Sequence, residues 1–210
     1  MLSIRDSESK VKPEAAPLPR AFYSREPKIV AGDLIGKRLV RRLGSVIVTC
    51  RIVEAEAYRG PDDDASHARH GRTRRNFTMF GPPGHAYVYF VYGIHWMFNV
   101  VAHTDRSPGA ILIRAVEPLG HHDILQAHRG ERVTGRNLTN GPAKLAQALD
   151  ITGDQNDVDL CSSQDLTIVE GALAVGETLA IGRRVRVPGG EDAQTRPWRF
   201  WIAGSRWVSR

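Results

Sequence analysis

Cysteine is scarce: Cys50 and Cys161 are the only two in 210 residues. They are too few and too far apart for a disulfide framework, so a reducing, intracellular compartment is expected, the cytoplasm or nucleoid of a bacterium or the nucleus of a eukaryote. No run of about eighteen apolar residues occurs, which excludes a membrane-spanning helix. The first residues lack the apolar core of a secretory signal. Lysine is nearly missing as well. Lys10, Lys12, Lys28, Lys37 and Lys144 stand among 29 basic residues, and the rest are arginine, whose planar fork suits phosphate. With 23 acidic residues the formal charge is +6 and the pI about 9.7, a balance that favours a polyanionic partner. There is no internal repeat and no linker. The 41% hydrophobic and 25% charged content is that of a globular domain, and the length suits one domain with its own core.

The richest stretch is residues 51–99, RIVEAEAYRGPDDDASHARHGRTRRNFTMFGPPGHAYVYFVYGIHWMFN. Residues 46–58 alternate as a strand. Val46, Val48, Cys50 and Ile52 share a face with Glu54, Glu56 and Tyr58, while Ile47, Thr49 and Arg51 begin a mixed face. Two carboxylates at the end of a core-facing row are costly unless paired, and burial raises their pKa toward the range of acid–base chemistry. A bulge would break the alternation. Pairing with arginines as plain structure is the competing account.

Residues 85–91 and 95–101 read as a hairpin with Tyr92 and Gly93 at its reversal. Tyr87 and Tyr89 share one face and Val88, Phe90 and Tyr92 the other. On the return strand Met97 and Asn99 share one face, and Trp96 and Phe98 point the other way. An exposed aromatic at a rigid tip can wedge between stacked bases, or it can fold back on its own hairpin.

The rest of the chain predicts one α+β domain: a curved, mainly antiparallel β-sheet, surrounding helices and a protruding β-hairpin. Residues 1–20, with Pro13, Pro17 and Pro19, read as a flexible tail, and residues 21–210 as the domain. Ser24 is expected to cap a helix over 27–35 with Ile29, Val30 and Leu34 inward. Strands are expected at 37–43, 111–116, 167–169, 179–181, 183–187 and 199–202. Helices are expected at 65–69, 121–128 and 143–149, the last entered through Pro142. Residues 71–75, 153–165 and 189–195 read as loops.

EAEAY, His67, YVYFVYG, Asn99, ILIRAVEP, NGPAKLAQALDI and RPWRFWIAGSRWVSR together resemble the alkyladenine (3-methyladenine) DNA glycosylase family, over residues 22–210. The resemblance implies hydrolysis of the bond between a damaged purine and deoxyribose, after the nucleotide has been flipped from duplex DNA. It assigns Glu56, not Glu54, as the catalytic base. Arg114 and the main chain near Val185 would share the attacking water. Tyr58 and Tyr89 would stack on the base, with His67 on its other side, and Asn99 would disfavour the amino group of guanine. Tyr92 would intercalate. No lysine lies in EAEAY, YVYFVYG or ILIRAVEP to form a Schiff base, which implies a monofunctional glycosylase without metal or cofactor, a monomer on double-stranded DNA containing damaged purines. Arg72, Arg74, Arg75, Lys144 and the cluster Arg183, Arg184 and Arg186 are phosphate candidates.

Two other classes compete. Asp62, Asp63, Asp64, His67 and His70 form a ligand-rich stretch, as a metal-dependent hydrolase would need, although their spacing matches no closed zinc or calcium pattern. A noncatalytic nucleic-acid-binding module accounts for the charge and the aromatics, but not for Glu56 and Arg114 on apolar strands.

Overall fold

A computed structural model describes residues 15–104 and 107–209. Eight antiparallel strands form one curled sheet. In chain order they are β1 (Arg38–Leu43), β2 (Val46–Arg59), β3 (Ala86–Val91), β4 (His95–Val101), β5 (Gly109–Pro118), β6 (Leu166–Val169), β7 (Leu179–Gly182) and β8 (Arg199–Ile202). The main path runs β3-β4-β5-β2-β1-β6, and β8 pairs with both β2 and β7. The helices are α1 (Arg20–Tyr23), α2 (Pro27–Asp33), α3 (His122–Arg129), α4 (Pro142–Ala148) and α5 (Glu191–Thr195). Among the described residues no helix is long and apolar enough to cross a membrane.

Strand β2 positions everything else. Its first half pairs with β1, and Glu54, Ala55 and Glu56 lie between β5 on one side and β8 on the other. The expected mixed face does not persist: Val53, Ala55 and Ala57 are fully buried, because this half of the strand is covered on both sides. A bulge does interrupt the ladder. Val53 on β2 and Arg114 on β5 both fall out of register, and because one irregularity occurs on each strand the pairing then resumes its former register. Glu54 and Glu56 therefore stay on the side to which Arg114 points.

The hairpin forms as the alternation predicts, Tyr87 opposite Asn99 and Tyr89 opposite Met97. Helices α3 and α4 lie where the periodicity puts them, and Pro142 opens α4, where no intrahelical N–H is needed.

Several expectations are corrected. Ser24 caps nothing at an N-terminus; its hydroxyl donates to Arg20 O at the C-terminal end of α1, and Glu26 precedes α2. Val30 and Leu34 are buried but Ile29 is half exposed. Residues 65–69 are consecutive turns rather than a helix, and residues 191–195, expected as loop, form α5. Residues 183–187 are not a strand, since their main chain finds partners outside any ladder, as described below. The tail expected over 1–20 lies partly outside the described residues. Its last part packs: Pro17 bridges Val169, Leu18 is buried, and Arg20 pairs with Asp159 at 2.6 Å.

Candidate active site

Glu56 lies at the end of β2 with no exposed surface. Its Oε1 accepts from the Val185 N–H at 2.6 Å. Its Oε2 accepts from the Tyr58 hydroxyl at 2.9 Å and from Arg114 Nη1 at 3.2 Å. Burial raises its pKa above the ordinary carboxylate value; Arg114, the Val185 N–H and the Tyr58 hydroxyl pull it back down, and Glu54 adds a smaller upward push.

Arg114 is the hinge of a buried ionic network. Its Nε donates to Glu54 Oε1 at 3.0 Å and its Nη2 to Ser209 Oγ at 3.1 Å. Glu54 is further held by Arg199 Nε at 2.7 Å, the Ser209 N–H at 2.6 Å and the Ser209 hydroxyl at 2.9 Å. Glu54 thus has its lone pairs occupied and braces Arg114, whereas Glu56 points its partners toward the cavity. Both carboxylates pair with arginine, as the structural account required, but only Glu56 takes all its donors from residues that line a cavity.

That cavity encloses about 620 Å³. Tyr58, Arg114 and Val185, the three donors to Glu56, all line it, and Glu56 lies immediately behind them. Tyr87, Tyr89, Met97 and Asn99 from the hairpin form one wall, and His67 and its neighbours another. His67 Nδ1 is 2.9 Å from the Tyr87 hydroxyl. Burial first, and then Arg75 and Arg69, draw the His67 pKa down to about 4; the residue keeps exposed surface at the cavity mouth, but both causes favour the neutral ring. The His67 and Tyr89 rings meet edge-on with centroids 4.6 Å apart and planes at 69°, so no parallel slot stands open between them. A base entering between these rings has to part them. Asn99 makes the cross-strand bond that competed with a pocket role, Nδ2 to Tyr87 O at 3.1 Å, and it also lines the cavity.

Tyr92 stands at the hairpin tip, 85% exposed, in the left-handed region with φ +55°. It does not fold back on its hairpin. Instead the Phe90 and Trp96 rings meet beneath the tip, centroids 4.7 Å apart and planes tilted by 49°.

The basic candidates separate. Arg72 and Arg74 are exposed on the loop before the short 3-10 turn at Phe77–Phe80. Arg75 lies over the Tyr89 ring at 5.2 Å and donates to Phe90 O, bracing the hairpin. Lys144 donates to Asn140 Oδ1 at 2.8 Å near the start of α4. Arg184 is unavailable to phosphate: it is buried, bidentate to Asp63 at 2.6 and 2.7 Å, and sandwiched against the Tyr58 and Trp198 rings.

The same pairing removes Asp63 from the ligand-rich stretch, where Asp62 pairs with Arg59 and His70 accepts from Arg69. Among the described residues no three of His, Cys, Asp and Glu converge to hold a metal ion.

Sequence reasoning missed Tyr87 as the partner of His67. It also missed Arg199 and Ser209 as supports of the carboxylates, and Asp63 with Arg184 as the anchor of the Val185 loop. The apolar context of ILIRAV marked Arg114, but nothing local marks Ser209, which is 155 residues from Glu54.

A family model described as methylpurine-DNA glycosylase matches residues 21–206. A protein of Koribacter versatilis is 46% identical over 202 residues, covering 93% of this chain and 94% of that protein. One from Methanocella arvoryzae is 45% identical, covering 92% and 96%, and one from Clostridium acetobutylicum is 40% identical, covering 90% and 96%. All three are provisionally named 3-methyladenine DNA glycosylase.

Proposed function

The chain belongs to the methylpurine-DNA glycosylase family, and from that premise we propose that it hydrolyses the N-glycosidic bond of alkylated or deaminated purines in double-stranded DNA. The observation that carries this is the buried Glu56 carboxylate, gripped by Arg114, the Val185 N–H and the Tyr58 hydroxyl behind a cavity walled with aromatic rings.

The glycosidic bond is inaccessible in the base stack, so the nucleotide must first rotate out. Tyr92 fills the vacated space, and Tyr58, Tyr89 and His67 enclose the base. An alkylated purine is cationic and is attracted to the faces of tyrosine rings, and a neutral His67 adds no repulsion. As the bond breaks, the sugar becomes oxocarbenium-like. Ionised Glu56 stabilises that charge and takes a proton from the attacking water; water oxygen joins the anomeric carbon and the bonding electrons leave with the purine. Arg114 and the Val185 main chain keep Glu56 oriented. Asn99 opposes the amino group of normal guanine. No lysine takes part, so the product is an abasic site with an uncut strand, and one monomer suffices.

Duplex DNA carrying 3-methyladenine or hypoxanthine, incubated with the protein and analysed for free base, tests the reading. Release of the modified base with an intact strand before alkaline treatment supports it. Tight binding with no release would leave the noncatalytic module as the function.

Tyr92→Ser tests the flipping step. Unstacking and unpairing cost a few kcal/mol, and serine cannot fill the hole. Excision of hypoxanthine should fall by about tenfold or more opposite thymine and much less within a small bulge, where the base is already unpaired. Single-turnover rates on the two duplexes decide, and an equal loss on both removes the wedge.

A further inference from the structure

Five described non-glycine residues adopt positive φ: Tyr92, His121, Asp150, Asp157 and Arg186. Only Tyr92 and Arg186 line the cavity behind which Glu56 lies, and neither residue type is at ease in the left-handed region. Such conformations persist where the surroundings over-determine them, and they collect at functional sites.

The surroundings of Arg186 do over-determine it. Two residues earlier in the chain, Arg184 is locked to buried Asp63. Val185 is tied through its N–H to Glu56. Three residues later, Gly189 lies so close to the neighbouring loop that a Cβ there would meet Asp64 Cβ at 2.8 Å, and Gly190 N–H faces Asp64 Oδ2. The backbone of Arg186 is therefore held from both ends. Its side chain is not: it is exposed, and among the described residues no hydrogen bond, ion pair or ring engages its guanidinium. Arg51, Arg59, Arg114, Arg184, Arg196 and Arg199, by contrast, all have carboxylate partners. Arg69 also lines the cavity and is steadied by its bond to Asp64 O at 2.6 Å.

We propose that Arg186, presented in a strained conformation at the cavity mouth, is a clamp for the phosphodiester flanking the flipped nucleotide. This rests on the glycosylase reading for the identity of the polyanion. The division of labour follows from position. Tyr92 enters the stack, while Arg186, on a separate segment lining the same cavity, grips the backbone of the nucleotide that has left it, with two N–H groups of a guanidinium matching two phosphate oxygens.

Arg186→Gly separates this from a packing role, because glycine accepts the left-handed backbone without strain. Arg186→Lys keeps the charge. Binding to a duplex containing a tetrahydrofuran abasic-site analogue, followed over a salt series, needs no catalysis. Arg186→Gly is expected to melt no lower than wild type, to bind about tenfold more weakly, and to reduce the slope of log affinity against log salt by about one. Arg186→Lys should retain the slope. Wild-type affinity and slope in Arg186→Gly, or a weaker affinity with an unchanged slope, overturns the clamp, and so does a marked fall in melting temperature. A wild-type protein that binds this duplex but releases no base from duplex DNA carrying 3-methyladenine or hypoxanthine overturns the glycosylase reading alone, since the clamp is read from binding.

Discussion

Glu56→Gln should leave a folded protein that binds damaged duplex DNA and releases base at least about a thousandfold more slowly, the scale on which removing one preorganised electrostatic group acts. The swap keeps the shape and removes the charge opposite the sugar cation. The fold should survive for a calculable reason. Burial raises the folded pKa of Glu56 above its value in the unfolded chain. The ionised form therefore costs stability above the unfolded pKa: that contribution is most favourable at low pH and is lost as pH rises through the folded pKa. A neutral side chain escapes this cost but leaves one of the three donors without a good acceptor, and the two effects oppose each other. The raised pKa also places the acid limb of the wild-type excision profile above the ordinary carboxylate range of about 4.5, with activity lost as pH falls through it. Single-turnover excision across pH measures both statements. Near-normal turnover by Glu56→Gln would falsify its role.

Arg114→Ala should damage stability and chemistry together. Among the described residues it removes the only group that bridges Glu54 and Glu56, both without exposed surface. Breaking a buried ion pair from one side costs about 3–5 kcal/mol, and at roughly 2–4 °C per kcal/mol for a chain of this size the melting temperature should fall by about 10 °C. Glu54 retains Arg199 and Ser209, so the protein should still fold. Glu56 loses its largest pKa-lowering partner, so its pKa should rise further and the acid limb of excision should move to higher pH. Thermal melting and the pH profile report the two effects separately. An unchanged limb with a lowered melting temperature would make Arg114 a purely structural residue.

Much of this was legible residue by residue. The alternation in AYVYFV and HWMFNVV is a local pattern, and a slip of one residue would reverse every side chain, so the hairpin and the face pairs Tyr87 with Tyr89 and Met97 with Asn99 could be read directly, while the structure joined the two pairs across the ladder. The tip itself followed from Gly93 and the reversal, and only the structure showed that Tyr92 is exposed rather than folded back on its hairpin. Residues 183–187 misled for a physical reason. RRVRV alternates like a strand, but a strand exists only if a ladder takes its main-chain groups, and here the Val185 N–H goes to a carboxylate 129 residues away. The paired irregularities at Val53 and Arg114 were equally hidden, since register is a property of two strands and neither shows it alone.

The sequence by itself determined the class of the molecule: one α+β domain, a basic surface built from arginine, two carboxylates at the end of a core strand, and a tyrosine at a rigid tip. These depend on composition and on periodicities of two and 3.6 residues, which neighbouring residues set among themselves. Only the tertiary structure decided which carboxylate is braced and which takes its donors from the cavity wall. Glu54 and Glu56 are the same residue type two positions apart on one strand. They differ because Ser209 and Arg199 close around the first, while Val185 and Tyr58, which line the pocket, hold the second behind them. Those partners come mostly from distant parts of the chain. Their arrival is governed by how the sheet curls, so the electrostatics that distinguish the two groups do not exist until the fold is complete.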